Sequence, residues 1–172
     1  MPGRTRSIVA WIIHTAGIRA AELRSEKGLE ARVRVQKLVF LLRRFIPGLR
    51  GYRFSLYIYG PYSPDLARVY YELAELGDDY IAELASTYDP PRRVRDILRE
   101  LVMLDTETLE LMATAYDIYS AHKGSRLWEH MRREFLVRRV LLVKPWAPKR
   151  AVERAIDELA RLGFIEVTLQ GE

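Results

Sequence analysis

The fold is decided locally at Tyr59-Gly60-Pro61-Tyr62-Ser63-Pro64, where a strand pattern changes into a helix pattern. Residues 52–59 alternate apolar and polar side chains, which is typical of a half-buried strand. Gly60 and Pro61 are expected to end that strand, because glycine accepts a positive φ and proline fixes its own φ. Ser63 and Pro64 predict the N-cap and first turn of a new helix. Strand, turn and helix are therefore expected in close succession.

A helix is predicted over residues 30–46, before the strand, and it ends at Pro47-Gly48. Its apolar residues share one wide face, which we expect in the core. The opposite face and its flanks combine cationic, amide and aromatic side chains: Arg32, Gln36, Lys37, Phe40, Arg43 and Arg44. We expect this stripe to be exposed and to contact phosphates or a partner protein, with Arg53 and Tyr57 of the strand beside it. The simpler interpretation is a solvated helix face with Phe40 covered by the strand.

Composition excludes several kinds of protein. A chain of 172 residues that is 49% hydrophobic buries a core of normal size without a stabilising metal or disulfide, and it contains no cysteine. The apolar run at residues 8–13 is too short for a signal peptide or a membrane span, so a cytoplasmic protein is expected. Asparagine is absent and arginine far outnumbers lysine, a usage that resembles that of thermophile proteins.

Charge is distributed unevenly along the chain. The net charge is +5, yet residues 31–63 contain only basic ionisable side chains apart from tyrosine, whereas residues 65–89 are mainly acidic. A basic region next to an acidic one suits an anionic partner, or the two regions offset each other if they pack together.

The remaining patterns predict a mainly α protein with a small β component, of α+β class. The double proline at Pro90-Pro91 is the best candidate boundary, giving a winged-helix-like half at residues 1–89 and a helical half at residues 90–172. One compact domain is the alternative. Helices are expected at residues 92–104, 106–121, 125–143 and 149–162. Gly163 and a strand at residues 164–169 follow, in the order that ends many winged helix-turn-helix units.

No catalytic, metal or cofactor site is predicted. His130 and Glu134 have the i, i+4 spacing of two metal ligands, but the sequence indicates no third ligand, and an ion pair is favoured. Ser63 lacks the Gly-x-Ser-x-Gly context of a hydrolase nucleophile, so a helix cap is favoured. The chain has no glycine-rich phosphate-binding loop.

Two segments together resemble a known family. The helix segment Val35-Gln36-Lys37-Leu38-Val39-Phe40-Leu41 and the turn beginning at Tyr59-Gly60-Pro61-Tyr62-Ser63 look like the paired motif of the YwgA-like proteins and the SocA-like antitoxin (Panacea) domains. The similarity covers roughly residues 31–76. It implies a helical domain that binds proteins, often a toxin that it neutralises, and it implies no catalytic residue.

Two functions follow as hypotheses. The first is a non-enzymatic regulatory or antitoxin-type binding module that acts through protein contacts, with a toxin as the implied partner. The second is a winged-helix DNA-binding regulator that uses the basic helix at residues 30–46. Neither requires a cofactor or a membrane, and a homodimer is compatible with both.

Overall fold

The computed structural model describes residues 2–122 and 133–167, and over these it is mainly helical. Nine α-helices and one two-stranded antiparallel sheet lie in the described part of the chain, which confirms the predicted α+β class. The chain divides into two compact units, Met1–Thr106 and Glu107–Glu172. Helix α6, which follows the double proline expected as a boundary, belongs to the first unit.

The first unit is built from six helices, a short 3-10 helix and a hairpin. They are α1 (Pro2–Thr15), α2 (Ala20–Arg24), α3 (Leu29–Leu42), the 3-10 helix Pro47–Leu49, strands β1 (Ser55–Tyr57) and β2 (Gly60–Tyr62), α4 (Pro64–Leu76), α5 (Asp78–Ser86) and α6 (Arg92–Val102). Helix α1 is buried along Ile8–Ile13, and most of α3 is buried from Val35 to Leu42. These two helices supply much of the core.

Helix α3 ends at Leu42, before the predicted end at residue 46. The cause is a change in hydrogen bonding ahead of Pro47. The Arg44 N–H donates to the Leu41 carbonyl at 3.2 Å, and the Phe45 N–H donates to the Leu42 carbonyl at 3.0 Å. These i to i−3 bonds tighten the chain into turns, as is common at helix C-termini.

The predicted strand at residues 52–59 is wrong in extent and in burial. The Tyr52 N–H bonds to the Leu49 carbonyl at 3.3 Å, so the chain is still turning there, and strand pairing begins only at Ser55. The expected stop at Gly60 is the start of β2, which pairs antiparallel with β1 through Tyr57 opposite Gly60. All three residues of β1 are exposed, because β2 is the strand that packs against α3.

The predicted start of α4 is confirmed. Ser63 is the N-cap, its hydroxyl accepts the Leu66 N–H at 3.3 Å, and Pro64 occupies the first turn. The helix ends at Gly77, whose φ of 95° lies in the region that favours glycine.

Gly28 lies close to the backbone of α2, so a side chain at this position is expected to destabilise the protein. A Cβ at this position would lie 1.7 Å from the backbone oxygen of Glu22 in α2. Because backbone cannot move aside cheaply, Gly28→Ala is expected to lower the free energy of unfolding by about 1–3 kcal/mol, measured by urea denaturation. Gly51→Ala is the control, since a Cβ there meets nothing within 4 Å. Equal stability of the two variants would contradict the close approach.

The second unit contains α7 (Thr106–His122), α8 (Arg133–Val143) and α9 (Lys149–Arg161). After α9, Phe164 and Ile165 are buried, but residues 164–167 form no strand, so the predicted strand is wrong over these residues. The Glu166 N–H instead donates to the Tyr119 hydroxyl at 3.2 Å. Residues 168–169 of that predicted strand and residues 125–132 of the predicted helix lie outside the described residues.

Candidate functional site

Two neighbouring side chains of α3 hold the backbone of β2 and of the residue that follows it. The Gln36 amide accepts the Ser63 N–H at 2.9 Å and donates to the Ser63 carbonyl at 3.0 Å. The Lys37 ammonium donates to the Pro61 carbonyl at 2.7 Å. Both side chains are 1% exposed. Polar groups this deep require partners, so these bonds fix the hairpin on α3. We call Gln36 and Lys37 the clamp.

The predicted exposed stripe of α3 is therefore wrong at three positions, because Gln36, Lys37 and Phe40 are buried. The hairpin and the segment before it cover the face that the sequence pattern assigned to solvent. The Phe40 ring packs edge-on against Phe54 with 5.1 Å between ring centroids. The simpler interpretation, a solvated face with Phe40 covered by the strand, is confirmed only for Phe40. Phe54, which lies in the predicted strand but precedes β1, covers that ring. When other elements cover a helix on two sides, its polar residues are buried, although the periodicity of the sequence predicts that they are exposed.

Arg32, at the start of the predicted stripe, is half-buried and takes part in the fold. Its guanidinium donates to the Ser25 carbonyl at 2.6 Å and to the Leu23 carbonyl at 3.3 Å. The side chain thus joins α3 to the end of α2. A partner-binding role for Arg32 stays a prediction. Its guanidinium already makes these two hydrogen bonds within the first unit.

The tip of the hairpin depends on Gly60. Ile58 and Tyr59 form the loop between the paired residues Tyr57 and Gly60, and Gly60 has a φ of 88°. Neither loop residue has a positive φ, so the turn differs from the type I′ turn common in two-residue hairpin loops. Glycine at the closing position supplies the conformation that a side chain disfavours.

Large apolar side chains are exposed along this hairpin. Leu56, Tyr57, Ile58 and Tyr59 are 46%, 57%, 76% and 46% exposed, and they follow one another in the sequence. Leu29 and Tyr71 are also exposed, and they line a cavity together with Tyr57 and Tyr59. We call these six residues the hairpin surface. Exposed large apolar side chains that are grouped in this way are typical of interaction sites on soluble domains.

The cavity beside the hairpin surface has a volume of about 200 Å³. We call it the tyrosine pocket, because five tyrosines line it, Tyr57, Tyr59, Tyr62, Tyr70 and Tyr71, along with Leu29, Arg32, Val33, Gln36, Lys37 and Gly60. No acidic residue is among these lining residues. The site therefore combines aromatic walls with a basic and amide floor.

Ring contacts order the walls of the tyrosine pocket. Tyr57 and Tyr62 meet edge to face at 5.4 Å, and the Tyr70 and Tyr71 rings are tilted at 4.9 Å. Burial raises the pKa of the Tyr70 phenol above its usual value. Tyr70 thus stays neutral as part of the wall.

The remaining predicted binding residues lie at the other end of α3. The Arg43 guanidinium lies 5.1 Å from the Phe54 ring centroid and 5.9 Å from that of Phe40. Arg44 is exposed and lies over Phe45, while Arg53 is exposed one residue before Phe54. The predicted residues are therefore split between the tyrosine pocket and this end of the helix.

Sequence reasoning missed several contributors to these surfaces. Leu29, Tyr70 and Tyr71 line the tyrosine pocket, and Arg93 of α6 lies over the Phe45 ring at 5.0 Å. The sequence offered one signal, the adjacent pair Tyr70-Tyr71. Neighbouring residues of an amphipathic helix do not share a face, so the two tyrosines are not both expected on the buried face.

The described residues contain no group of three or more side chains suited to hold a metal ion. His130 of the candidate metal pair lies outside them. No helix in the described part of the chain is long and apolar enough to cross a membrane. Ser63 serves as the helix cap that the sequence favoured.

Comparisons with known proteins add no relative: no family model, curated protein or solved structure matches the chain.

Proposed function

We propose that the protein is a non-enzymatic binding module of regulatory or antitoxin type, which holds a partner protein on the hairpin surface. The observation that carries this proposal is the run of exposed apolar residues from Leu56 to Tyr59 on a hairpin fixed by the buried clamp. An exposed apolar hairpin on a rigid base is suited to binding, because little order must be imposed when the partner arrives.

The size of the tyrosine pocket favours a side chain of a partner over a free small molecule. Small-molecule sites have volumes of roughly 300–1,000 Å³, whereas this cavity has about 200 Å³. The exposed rings of Tyr57, Tyr59 and Tyr71 around it are typical of protein interfaces, where tyrosine is enriched. We therefore propose that one large apolar or aromatic residue of the partner enters the pocket, and that the hairpin contacts its neighbours.

The clamp also offers a physical reason for the paired motif. A Gln-Lys pair on a helix and a Tyr-Gly-Pro turn are far apart in sequence, yet here they are joined by three hydrogen bonds involving Gln36 and Lys37. This supports the proposed relationship to the YwgA-like and SocA-like antitoxin proteins. As part of the same proposal, the partner is a toxin, the protein acts in the cytoplasm, and it needs no cofactor or catalytic residue.

The proposal is tested by expressing the protein of the adjacent reading frame with and without this chain. We expect the neighbouring protein to arrest growth when it is expressed alone, and the wild-type chain to relieve this arrest when both are expressed. The two proteins should also elute as a complex in size-exclusion chromatography. A chain carrying Tyr57→Ala and Tyr71→Ala is expected to give no relief, because it lacks two walls of the tyrosine pocket.

Tyr80→Ala is the matched control, since Tyr80 is exposed on α5 and does not line the pocket. It should relieve the arrest as the wild type does. A neighbour that neither arrests growth nor binds the chain contradicts the antitoxin role. Relief that survives loss of Tyr57 and Tyr71 contradicts the assignment of the site.

A further inference from the structure

Five arginines gather where α3 ends, and none of them lines the tyrosine pocket. They are Arg43, Arg44, Arg50, Arg53 and Arg93, which we call the arginine cluster. Four of them are exposed, and Arg43 is half-buried. The first four come from residues 43–53, and Arg93 reaches the same place from α6.

Aromatic rings bring these arginines together. The Arg44 and Arg93 guanidinium carbons lie 5.6 and 5.0 Å from the centroid of one ring, that of Phe45. Arg43 lies over Phe54 at 5.1 Å. Contacts of guanidinium with aromatic faces are favourable, and they hold the charged groups in defined positions.

A backbone contact extends the cluster to the segment after α3. The Arg50 Nε–H donates to the Arg43 carbonyl at 3.4 Å. Arg53 precedes Phe54, the ring that Arg43 covers. Several fixed positive charges therefore occupy one continuous part of the first unit.

Among the described residues, the four exposed arginines of the cluster differ from other arginines of the unit that form ion pairs. Arg6 pairs with Glu72 at 2.6 Å, and Arg19 with Asp78 at 3.0 Å. In the described chain, none of Arg44, Arg50, Arg53 and Arg93 takes part in a salt bridge. The sequence contributes to this, since residues 31–63 contain no aspartate or glutamate.

The surroundings of the cluster favour phosphates over a protein surface. Residues 43–53 and α6 contain no exposed large apolar side chain among those described, whereas a protein interface normally has an apolar centre. Binding to a phosphate backbone needs no apolar centre, because counterion release supplies the free energy. The aromatic faces of Phe45 and Phe54 are already covered by guanidinium groups, so base stacking on them is disfavoured.

We infer that the arginine cluster binds the phosphate backbone of duplex DNA without reading its sequence. This function goes beyond the proposed protein binding and uses a different surface. The residues of α3 that line the tyrosine pocket lie between Leu29 and Lys37. The arginine cluster begins after Leu42, the last residue of α3. From Lys37 to Leu42 the helix rises by about 7.5 Å. The two surfaces are therefore neighbouring but consist of different residues.

Fluorescence anisotropy with a labelled random-sequence duplex and the full chain tests the inference. Four exposed arginines acting on phosphates predict that log affinity falls with log salt with a slope of about −3.6, which is a loss of roughly 100-fold between about 50 and 200 mM salt. Arg44→Ala with Arg93→Ala is expected to reduce the slope by about 2.

The control is Arg68→Ala with Arg24→Ala, which removes the same charge from exposed positions of the first unit that are not part of the cluster. It should keep the wild-type slope. Arg50→Gln with Arg53→Gln repeats the test at exposed positions outside the core, should the first variant fail to fold. Absence of binding at low salt overturns the inference, as does a slope lowered equally by cluster and control variants. A polyglutamate competitor as strong as duplex DNA at equal charge would overturn the assignment to DNA.

Discussion

Replacing Gln36 with methionine is expected to lower the free energy of unfolding by about 2–4 kcal/mol. Methionine has a similar shape and helix propensity, so the change removes hydrogen bonds with little change in packing. The Ser63 N–H would lose the amide oxygen that it contacts at 2.9 Å, inside a region where Gln36 is 1% exposed. The Ser63 carbonyl would also lose the amide N–H that donates to it at 3.0 Å. Urea denaturation followed by circular dichroism measures the loss.

Glu75→Met on α4 serves as the control, because Glu75 is exposed and its replacement should change stability by less than about 0.5 kcal/mol. If Gln36→Met unfolds at the same urea concentration as this control, the clamp contributes nothing to stability. The account of the paired motif as a helix holding a turn would then be wrong.

Replacing Tyr57 with alanine is expected to weaken partner binding by about 30-fold or more, which is ~2 kcal/mol. Tyr57 forms a wall of the tyrosine pocket, is 57% exposed, and has its ring ordered against Tyr62. Peptides selected on the full chain from a random phage-displayed library provide the probe. We expect the selected peptides to share one large apolar or aromatic residue. Isothermal titration calorimetry then compares their affinity for each variant.

Tyr80→Ala controls for the loss of an exposed tyrosine outside the pocket and should bind as the wild type does. Selected peptides that bind Tyr57→Ala and wild type equally would place the binding surface elsewhere. A selection that enriches no peptide would argue against a protein-binding role for the hairpin surface.

Local signals in the sequence predicted the elements that depend on nearest neighbours. The start of α4 follows from Ser63 and Pro64, whose cap and first-turn roles need only the next three residues. The extent of the strand could not be predicted from local signals in the same way. Alternation at residues 52–59 says nothing about where a chain reverses, and the reversal at Ile58 and Tyr59 depends on pairing with β2.

The site shows the same division between local and tertiary information. Gln36, Lys37 and Phe40 were predicted to be exposed and are buried, because a helical pattern cannot show which polar face another element covers. The clamp needs a partner 24 or 27 residues away in the sequence. Tyr70, Tyr71 and Arg93 join their surfaces only through packing of α4 and α6, so no spacing rule within residues 30–59 includes them.

The hairpin surface and the tyrosine pocket together form the proposed protein-binding site. Hydrogen exchange of the full chain, with and without a selected peptide, tests it most directly, because amide protection reports where the chain is covered or ordered. We predict that added protection is concentrated in residues 55–62 and at the start of α3, with α9 unchanged. Protection confined to other segments, with residues 55–62 exchanging as in the free chain, would contradict the claim.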